Sequence, residues 1–286
     1  MKVMVNIIYY FNDQKTYLNQ LIKEYSEYPY TVDIFIHSNK NNLKDIDKDS
    51  YNNGQIVIKK YNLFLRYFLF RNKGYYLTWA PRKFIKKNME NYEYFIFSDD
   101  DILIPKEAFK HWIRKKDELF KKKQIPGFIL LEKDESGTEY ALGYDQKKFL
   151  NKIQVGNSEY YINDNHKYMA CWIYDKNMMN YWIDSGYYDI KKTINPKDLK
   201  SDFLDKIKIK NLGLRYLFYD YRNKQGHGIR ENSTYGMNSP NLNLINETLL
   251  KICENKISDD CKIYHLDNHY SKGEHPIGNT KLMELI

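Results

Sequence analysis

Short apolar runs without helical spacing recur in the first hundred residues and predict buried β-strands. They occupy residues 3–10, 30–37, 55–59 and 94–97. Between the first two runs, apolar side chains recur every three or four positions over residues 17–25, which is the spacing of a helix that buries one face. This strand–helix–strand–strand order predicts an α/β fold with a mostly parallel central sheet flanked by helices.

The second half of the chain carries weaker patterns of the same two kinds. A basic run at residues 110–123 has apolar side chains interleaved with its lysines, which predicts an amphipathic helix with a basic outer face. A solvated helix face explains that run, and a binding patch is the alternative. Other predicted elements are strands at 125–132, 166–175 and 261–271, helices at 177–185 and 243–253, and a helix that begins at residues 200–205. We expect one domain with two lobes, residues 1–105 and 106–286.

Three consecutive carboxylates, Asp99, Asp100 and Asp101, directly follow the aromatic strand at 94–97. Ligands of open α/β sheets bind beyond the carboxyl ends of the strands, so these acids lie where a site is expected. Adjacent carboxylates raise one another's pKa unless a cation compensates them. Asp99 and Asp101 can turn toward one side and reach one hard cation. A solvated acidic turn is the alternative, but the buried strand that leads into the acids favours a metal–phosphate site.

Polar side chains at other element ends extend the candidate site. In a nucleotide-binding α/β fold, Tyr9 and His37 at the ends of the first two strands would face the base and the ribose, although ordinary loop residues are an equal alternative. Arg82 lies in the first turn of a helix that begins at Pro81, where a cation opposes the helix dipole. A bound phosphate would explain that arginine.

Three later residues complete the set of candidates. Asp202 begins a predicted helix, where the dipole alone accounts for a carboxylate. His265 and His269 lie four residues apart near the end of a predicted strand, so we expect one of them to point at any given ion.

The composition of the chain favours some classes of function and of cellular location over others. The net charge of +8, from 45 basic and 37 acidic residues, suits an anionic ligand or a membrane surface, and its even spread does not favour nucleic acid. Three cysteines, an odd and low number, indicate a reducing compartment. With no visible signal peptide and no run of about 20 apolar residues, we expect a cytoplasmic protein, with peripheral membrane contact as an alternative.

The order of these features resembles the GT-A superfamily of nucleotide-sugar glycosyltransferases. The shared features are a first strand at the very beginning, the acidic cluster at residues 99–101 and a late histidine. Residues 171–189 resemble the family's acceptor segment, since Ser185-Gly186-Tyr187-Tyr188-Asp189 stands where the family has a Gly-Gly-Phe-Asp-like turn. Ser201-Asp202 matches the family's Glu-Asp pair only loosely. The resemblance covers most of the chain, and the acidic motif is its specific part.

The resemblance implies a Rossmann-type GT-A-like single domain whose first lobe binds the nucleotide-sugar and whose second lobe binds a glycan or glycolipid acceptor. It also implies a Mn²⁺ or Mg²⁺ ion that bridges the donor diphosphate. The implied metal ligands are Asp99, Asp101 and either His265 or His269. Together with Tyr9 and His37 at the strand ends, the expected donor-binding residues are Arg82, Asp99 and Asp100. Asp202 would deprotonate the acceptor hydroxyl in an inverting enzyme, and the sequence leaves inverting and retaining chemistry open.

Two other hypotheses about the function are compatible with the same residues. A metal-dependent nucleotidyltransferase or phosphodiesterase would need more clustered acids and histidines than the sequence places together. A non-enzymatic basic protein that binds nucleic acid or anionic membranes is suggested by the basic helix and by the aromatic stretch at residues 61–70.

Overall fold

A computed structural model describes residues 1–10, 17–40, 43, 46–61, 75–78, 81–143, 148–163, 170–184, 188, 247–268 and 279–286. The chain divides into two compact units and crosses between them several times, among other places between Pro29 and Tyr30, between Asp99 and Asp100, and between Ala170 and Cys171. These boundaries differ from the expected lobes 1–105 and 106–286. The assignment of one lobe to the nucleotide-sugar and the other to the acceptor stays a prediction.

The described secondary structure is named in chain order. The strands are β1 (Lys2–Tyr9), β2 (Thr31–Ser38), β3 (Ile56–Lys60), β4 (Tyr94–Asp99), β5 (Ile102–Leu103), β6 (Gln124–Pro126), β7 (Ile129–Lys133), β8 (Glu139–Leu142), β9 (Lys152–Val155), β10 (Ser158–Asn163), β11 (Cys171–Asp175), β12 (Glu247–Cys253), β13 (Lys256–Ile257), β14 (Lys262–His265) and β15 (Asn279–Lys281). The α-helices are α1 (Leu18–Ser26), α2 (Pro81–Asn88), α3 (Lys106–Phe120) and α4 (Lys176–Asp184). Short 3₁₀-helices cover Tyr75–Thr78, Met89–Asn91, Asp259–Cys261 and Leu282–Leu285.

The first unit is built on a five-stranded sheet in the order β11–β4–β1–β2–β3. The last four strands of that order are mutually parallel, and β11 pairs antiparallel with β4. Central strands of a parallel sheet are buried on both faces, which is why β1 and β2 appear in the sequence as continuous apolar runs. The predicted α/β fold with a mostly parallel sheet is confirmed.

Helices α2 and α4 cover the same face of this sheet. Phe35 of β2 and Trp172 of β11 belong to one row of paired residues that runs across β1 and β4, so both side chains point to one face. Phe84 of α2 packs on Phe35 with ring centroids 4.7 Å apart, and Trp182 of α4 packs edge-on against Trp172 at 5.7 Å. Aromatic packing therefore holds both helices on the sheet.

The second unit contains two smaller sheets. One has the order β13–β12–β10–β9 with β6 paired to β12, and the other has the order β15–β8–β7–β14–β5. Helix α1 belongs to this unit and contacts β5, although it connects β1 to β2 along the chain. Residues of both sheets share one hydrophobic cluster, which includes Leu131, Tyr161, Leu250 and Cys261. The cluster joins the two sheets into one packed body.

The helix predicted at residues 243–253 is wrong in the part that the structure describes, because Glu247–Cys253 is strand β12. This strand pairs antiparallel with β10 and parallel with β6. Leu249 and Leu250 are both fully buried, although adjacent residues of a strand point to opposite faces. The strand is thus buried on both faces, whereas the predicted helix would bury one face only.

Two sequence expectations concern membranes. The aromatic stretch 61–70 lies, apart from Tyr61, outside the described residues. None of the helices in the described part of the chain combines the length and the apolar character that crossing a lipid bilayer requires.

Candidate functional site

Strand β14 brings a histidine and two carboxylates together within the second unit. It lies between β7, to which it is parallel, and β5, with which it pairs antiparallel through His265 and Ile102. Side chains at corresponding positions of adjacent strands lie side by side. The register sets His265 one position beyond the Tyr264–Leu131 pair, next to Glu132 of β7, and opposite Ile102 of β5, which directly follows Asp101. A backbone hydrogen bond of 2.8 Å from the nitrogen of Leu266 to the carbonyl of Asp101 fixes the approach of Asp101.

Both ring nitrogens of His265 face a carboxylate. Nε2 lies 3.2 Å from Oδ2 of Asp101, and Nδ1 lies 2.7 Å from Oε1 of Glu132. Burial alone would lower the pKa of His265, but the hydrogen bonds and charges of Asp101 and Glu132 outweigh it and raise the pKa to about 10. The ring is therefore an imidazolium that donates one hydrogen bond to each carboxylate, and a cation could bind Nε2 only in exchange for its proton.

Two further carboxylates lie close by. Burial and then the charge of Asp101 raise the pKa of Asp100 to about 7, and Asp267 adds to the effect. Asp267 accepts a hydrogen bond of 3.2 Å from the hydroxyl of Tyr17. Burial and then Asp267 raise the pKa of that hydroxyl to about 12. Asp100, Asp101, Glu132, His265 and Asp267 are called the acidic cluster below.

Helix α1 holds Tyr17 next to the acidic cluster. The Tyr28 hydroxyl, just after this helix, donates a hydrogen bond of 2.8 Å to the carbonyl of Ile104. Glu24 accepts one of 2.6 Å from the backbone nitrogen of Lys106, at the start of α3. The helix is thus tied to the chain on either side of Pro105, a few residues after the three acids.

The donor set of the acidic cluster suits a divalent cation that takes most of its ligands from elsewhere. Among the described residues, no group of three or more His, Cys, Asp and Glu side chains is arranged to hold a metal ion. Asp101 and His265 offer one oxygen and one nitrogen, and Mg²⁺-type sites commonly use one or two protein ligands together with phosphate and water. A histidine whose other nitrogen donates to a carboxylate is the usual form of a metal ligand. A bound metal ion itself stays a prediction.

The other predicted metal ligands are placed differently. Asp99 ends β4 and belongs to the first unit, where its charge adds to burial in raising the pKa of the Cys171 thiol. That Asp99 shares a cation with Asp101 stays a prediction. His269 lies outside the described residues.

Arg82 has a well-defined environment in the first unit. The predicted helix does begin at Pro81, and Arg82 is buried in its first turn. Its Nη1 donates a hydrogen bond of 2.8 Å to the carbonyl of Tyr188, and its guanidinium carbon lies 4.7 Å from the ring centre of Trp182. These contacts account for the buried arginine, and its role toward a phosphate stays a prediction.

The predicted nucleotide-facing residues are buried as well. His37 has no exposed surface, and its Nε2 donates to Oδ1 of Asn6 at 3.0 Å while its Nδ1 accepts from the Tyr61 hydroxyl at 2.9 Å. Burial lowers the pKa of His37 to about 3, so the ring is neutral. Tyr9 is 6% exposed. Contact of either residue with a nucleotide stays a prediction, and Asp202 lies outside the described residues.

Sequence reasoning missed three members of this neighbourhood. Glu132 ends an apolar run in the same way as the three acids do, and that signal was available. Asp267 follows His265 by two positions in the polar end of a strand. Tyr17 carries no comparable signal, because its place depends on how α1 packs.

Comparison with known proteins adds distant structural similarity. No protein-family model matches the chain. No curated protein matches it either. A crystal structure of S. aureus TarS 1-349 matches 71% of this chain and 52% of its own length, at 16% identity and a TM-score of 0.37. TarS 1-349 in complex with UDP matches at 17% identity with the same coverage and TM-score, and the complex with UDP-GlcNAc matches 66% of this chain and 48% of its own at a TM-score of 0.35. The chain thus spans about half the length of these structures.

Proposed function

We propose that this chain is a glycosyltransferase that moves a sugar from a nucleoside diphosphate donor to an acceptor hydroxyl of a glycan or glycolipid. The observation that carries the proposal is that Asp101, two positions after the end of β4, lies 3.2 Å from His265 within the acidic cluster. Two residues that are 164 positions apart in the chain (101 and 265) meet there because β14 pairs with β5.

The chemistry of sugar transfer suits these residues. A nucleoside diphosphate that leaves the sugar gains negative charge in the transition state, and a Mn²⁺ or Mg²⁺ ion supplies the positive charge that stabilises it. Oδ2 of Asp101 and Nε2 of His265 would hold such an ion at the diphosphate. Asp99 and Asp100 would contact the donor from the same turn, with Tyr9, His37 and Arg82 as the other proposed donor-binding residues. Asp202 remains the proposed base for an inverting reaction.

A ligand-binding measurement tests the proposal without knowledge of the acceptor. A ligand that binds only the folded chain raises its melting temperature, by an amount that grows with concentration over Kd. We expect nucleoside diphosphates to raise the melting temperature with Mn²⁺ and to do so much less with a chelator. Asp101→Asn should abolish the Mn²⁺-dependent part. Asp259→Asn, which alters a carboxylate that is 91% exposed and outside the acidic cluster, is the matched control.

Analysis of the products tests the reaction class. Incubation with a panel of nucleotide-sugars and Mn²⁺ should release nucleoside diphosphate, together with transferred or hydrolysed sugar. Release of pyrophosphate or nucleoside monophosphate would instead assign the chain to nucleotidyl transfer or phosphodiester cleavage. Full turnover in chelator, or by Asp101→Asn, would contradict the proposal.

A further inference from the structure

Glu132 is a buried carboxylate that the proposed reaction does not use directly. It ends the apolar part of β7, after Ile129, Leu130 and Leu131, and it has no exposed surface. A carboxylate that loses its water needs a charged or hydrogen-bonding partner to compensate. Its carboxylate lies against the ring of His265, 133 positions away in the chain. The partner is thus a residue already assigned to the proposed cation site.

The geometry of this contact selects one ring nitrogen of His265. Glu132 accepts a hydrogen bond of 2.7 Å from Nδ1, and the other nitrogen, Nε2, is the atom that faces Asp101. A carboxylate cannot donate a hydrogen bond, so Nδ1 must carry a proton whenever this contact exists. Nε2, on the side of Asp101, is therefore the ring nitrogen that can offer its lone pair to a cation.

We propose that Glu132 is a positioning residue that fixes the ring orientation and tautomer of His265 so that Nε2 is the nitrogen offered to a divalent cation. The inference rests on the proposed function, because it assumes that Asp101 and His265 bind that cation. Carboxylates that orient a metal-binding histidine contribute roughly 10- to 100-fold to metal affinity. Glu132 acts through His265 and touches neither the cation nor the donor.

A purely structural role gives different expectations. If Glu132 and Asp101 only clamp an imidazolium between β7 and β5, removal of the Glu132 charge changes the stability of the chain and leaves metal affinity unaltered. If Glu132 positions the ring, metal affinity falls in the folded protein whatever happens to stability. The two roles are therefore separated by measuring affinity and stability on the same variant.

The experiment compares wild type, Glu132→Gln and Glu139→Gln by titration with Mn²⁺ alone, with free Mn²⁺ followed by electron paramagnetic resonance. Glutamine keeps the shape of the side chain and one acceptor oxygen but removes the charge. Glu139 is the matched control, since it lies on the neighbouring strand β8 and pairs with Lys262 at 2.8 Å, away from the ring of His265. We expect a loss of roughly 10- to 100-fold in Mn²⁺ affinity for Glu132→Gln and none for Glu139→Gln. The ¹⁵N spectrum of the metal-free variant should also show the His265 proton distributed between Nδ1 and Nε2.

Each outcome decides between the possibilities. Unchanged Mn²⁺ affinity in Glu132→Gln, with normal binding by wild type, overturns the positioning role and leaves the proposed function standing. Absence of Mn²⁺ binding by wild type, both with Mn²⁺ alone and with a nucleoside diphosphate present, overturns the cation site, and the positioning role with it. If Glu132→Gln does not fold, Glu132→Asp keeps the charge and withdraws it by one methylene group. We then expect Glu132→Asp to bind Mn²⁺ more weakly than wild type, with a smaller loss than that expected for glutamine. Wild-type Mn²⁺ affinity in this variant overturns the positioning role.

Discussion

His37 links the stability of the chain to pH. Its pKa of about 3 in the folded chain lies below the ordinary value of 6.5, because burial disfavours the charged ring. Above pH 6.5 the ring is neutral whether the chain is folded or not, so its contribution to stability is fully present. Between pH 6.5 and 3, the proton binds to the unfolded chain but not to the folded one. The free energy of unfolding therefore falls by about 1.4 kcal/mol for each pH unit.

The prediction concerns His37→Gln, whose side chain does not titrate. Its free energy of unfolding should lie below that of wild type at pH 7.5, and the gap should narrow by about 1.4 kcal/mol per unit as the pH falls below 6.5. Urea denaturation between pH 7.5 and 5 measures the gap. His111, whose pKa burial lowers to about 4, remains in both proteins and so cancels in the comparison. A gap that stays constant over this range would show that His37 titrates normally.

Arg82 should contribute to stability through its shape as well as its charge. Lysine at this position keeps the charge but loses the planar group that lies over Trp182 and donates to Tyr188. We expect Arg82→Lys to lower the free energy of unfolding by about 1–2 kcal/mol. Chemical denaturation followed by tryptophan fluorescence measures this, and Lys83→Ala, on the exposed side of the same helical turn, is the control. Wild-type stability together with lost nucleoside diphosphate affinity would instead assign Arg82 to the ligand.

The sequence identified the residues of the acidic cluster that belong to a local pattern. Asp100 and Asp101 follow an apolar strand, and His265 ends another, so each could be found from its neighbours. Glu132 has the same local signature, but its importance depends on β7 lying beside β14. That pairing joins residues more than 130 positions apart, and no local pattern records it.

At the scale of elements, the turn before β3 shows how closely two chain segments approach. Gly54 has a φ of +149°, and a Cβ added there would lie 2.1 Å from the carbonyl oxygen of Val32 in β2. The adjacent Asn53 carbonyl accepts a hydrogen bond of 2.8 Å from the nitrogen of Val32, so this approach is part of the sheet edge. A side chain at residue 54 must therefore displace backbone.

We expect Gly54→Ala to lower the free energy of unfolding by about 2–4 kcal/mol, from backbone displacement and an unfavourable φ together. Gly137→Ala is the matched control, because Gly137 also has a positive φ of +81° but has no atom within 4 Å of the added Cβ. Its cost should be about 1 kcal/mol, from φ alone. Urea denaturation of both variants gives the difference, and equal costs would show that the close approach at Gly54 is relieved without energy.

The elements that the sequence predicted best are those whose burial is uniform. Strands β1 and β2 of the first sheet are buried on both faces, and α2 begins at the proline that marked it. Strand β12 was mistaken for a helix because a short apolar run does not distinguish the two structures. Its partners β6 and β10 decide its conformation, and both lie more than 80 positions earlier in the chain.

At the scale of the whole molecule, local and overall charge have opposite signs. The chain carries a net charge of +8, while the acidic cluster holds four carboxylates and one imidazole. The long-range field thus favours anions, and the local site favours a cation. A nucleoside diphosphate bound through a divalent ion uses both.

Salt should therefore weaken that binding. We expect the affinity for a nucleoside diphosphate at saturating Mn²⁺ to fall several-fold between 50 and 300 mM NaCl, as the Debye length shortens from roughly 14 to 6 Å. Isothermal titration calorimetry measures the affinity, and sucrose of equal osmolality controls for water activity. Affinity that does not change with salt would show that only short-range contacts bind the diphosphate.

The interleaving of the two units limits how this protein can be divided. A cut between Asp99 and Asp100 leaves β1–β4 with α1 on one piece and β11 with the remaining strands on the other, so each piece holds parts of both units. Neither unit is therefore obtainable as one contiguous fragment by truncation. Recombinant dissection would have to splice distant segments or let two complementary fragments reassemble in the same tube, and recovery of Mn²⁺ affinity on mixing would report that reassembly.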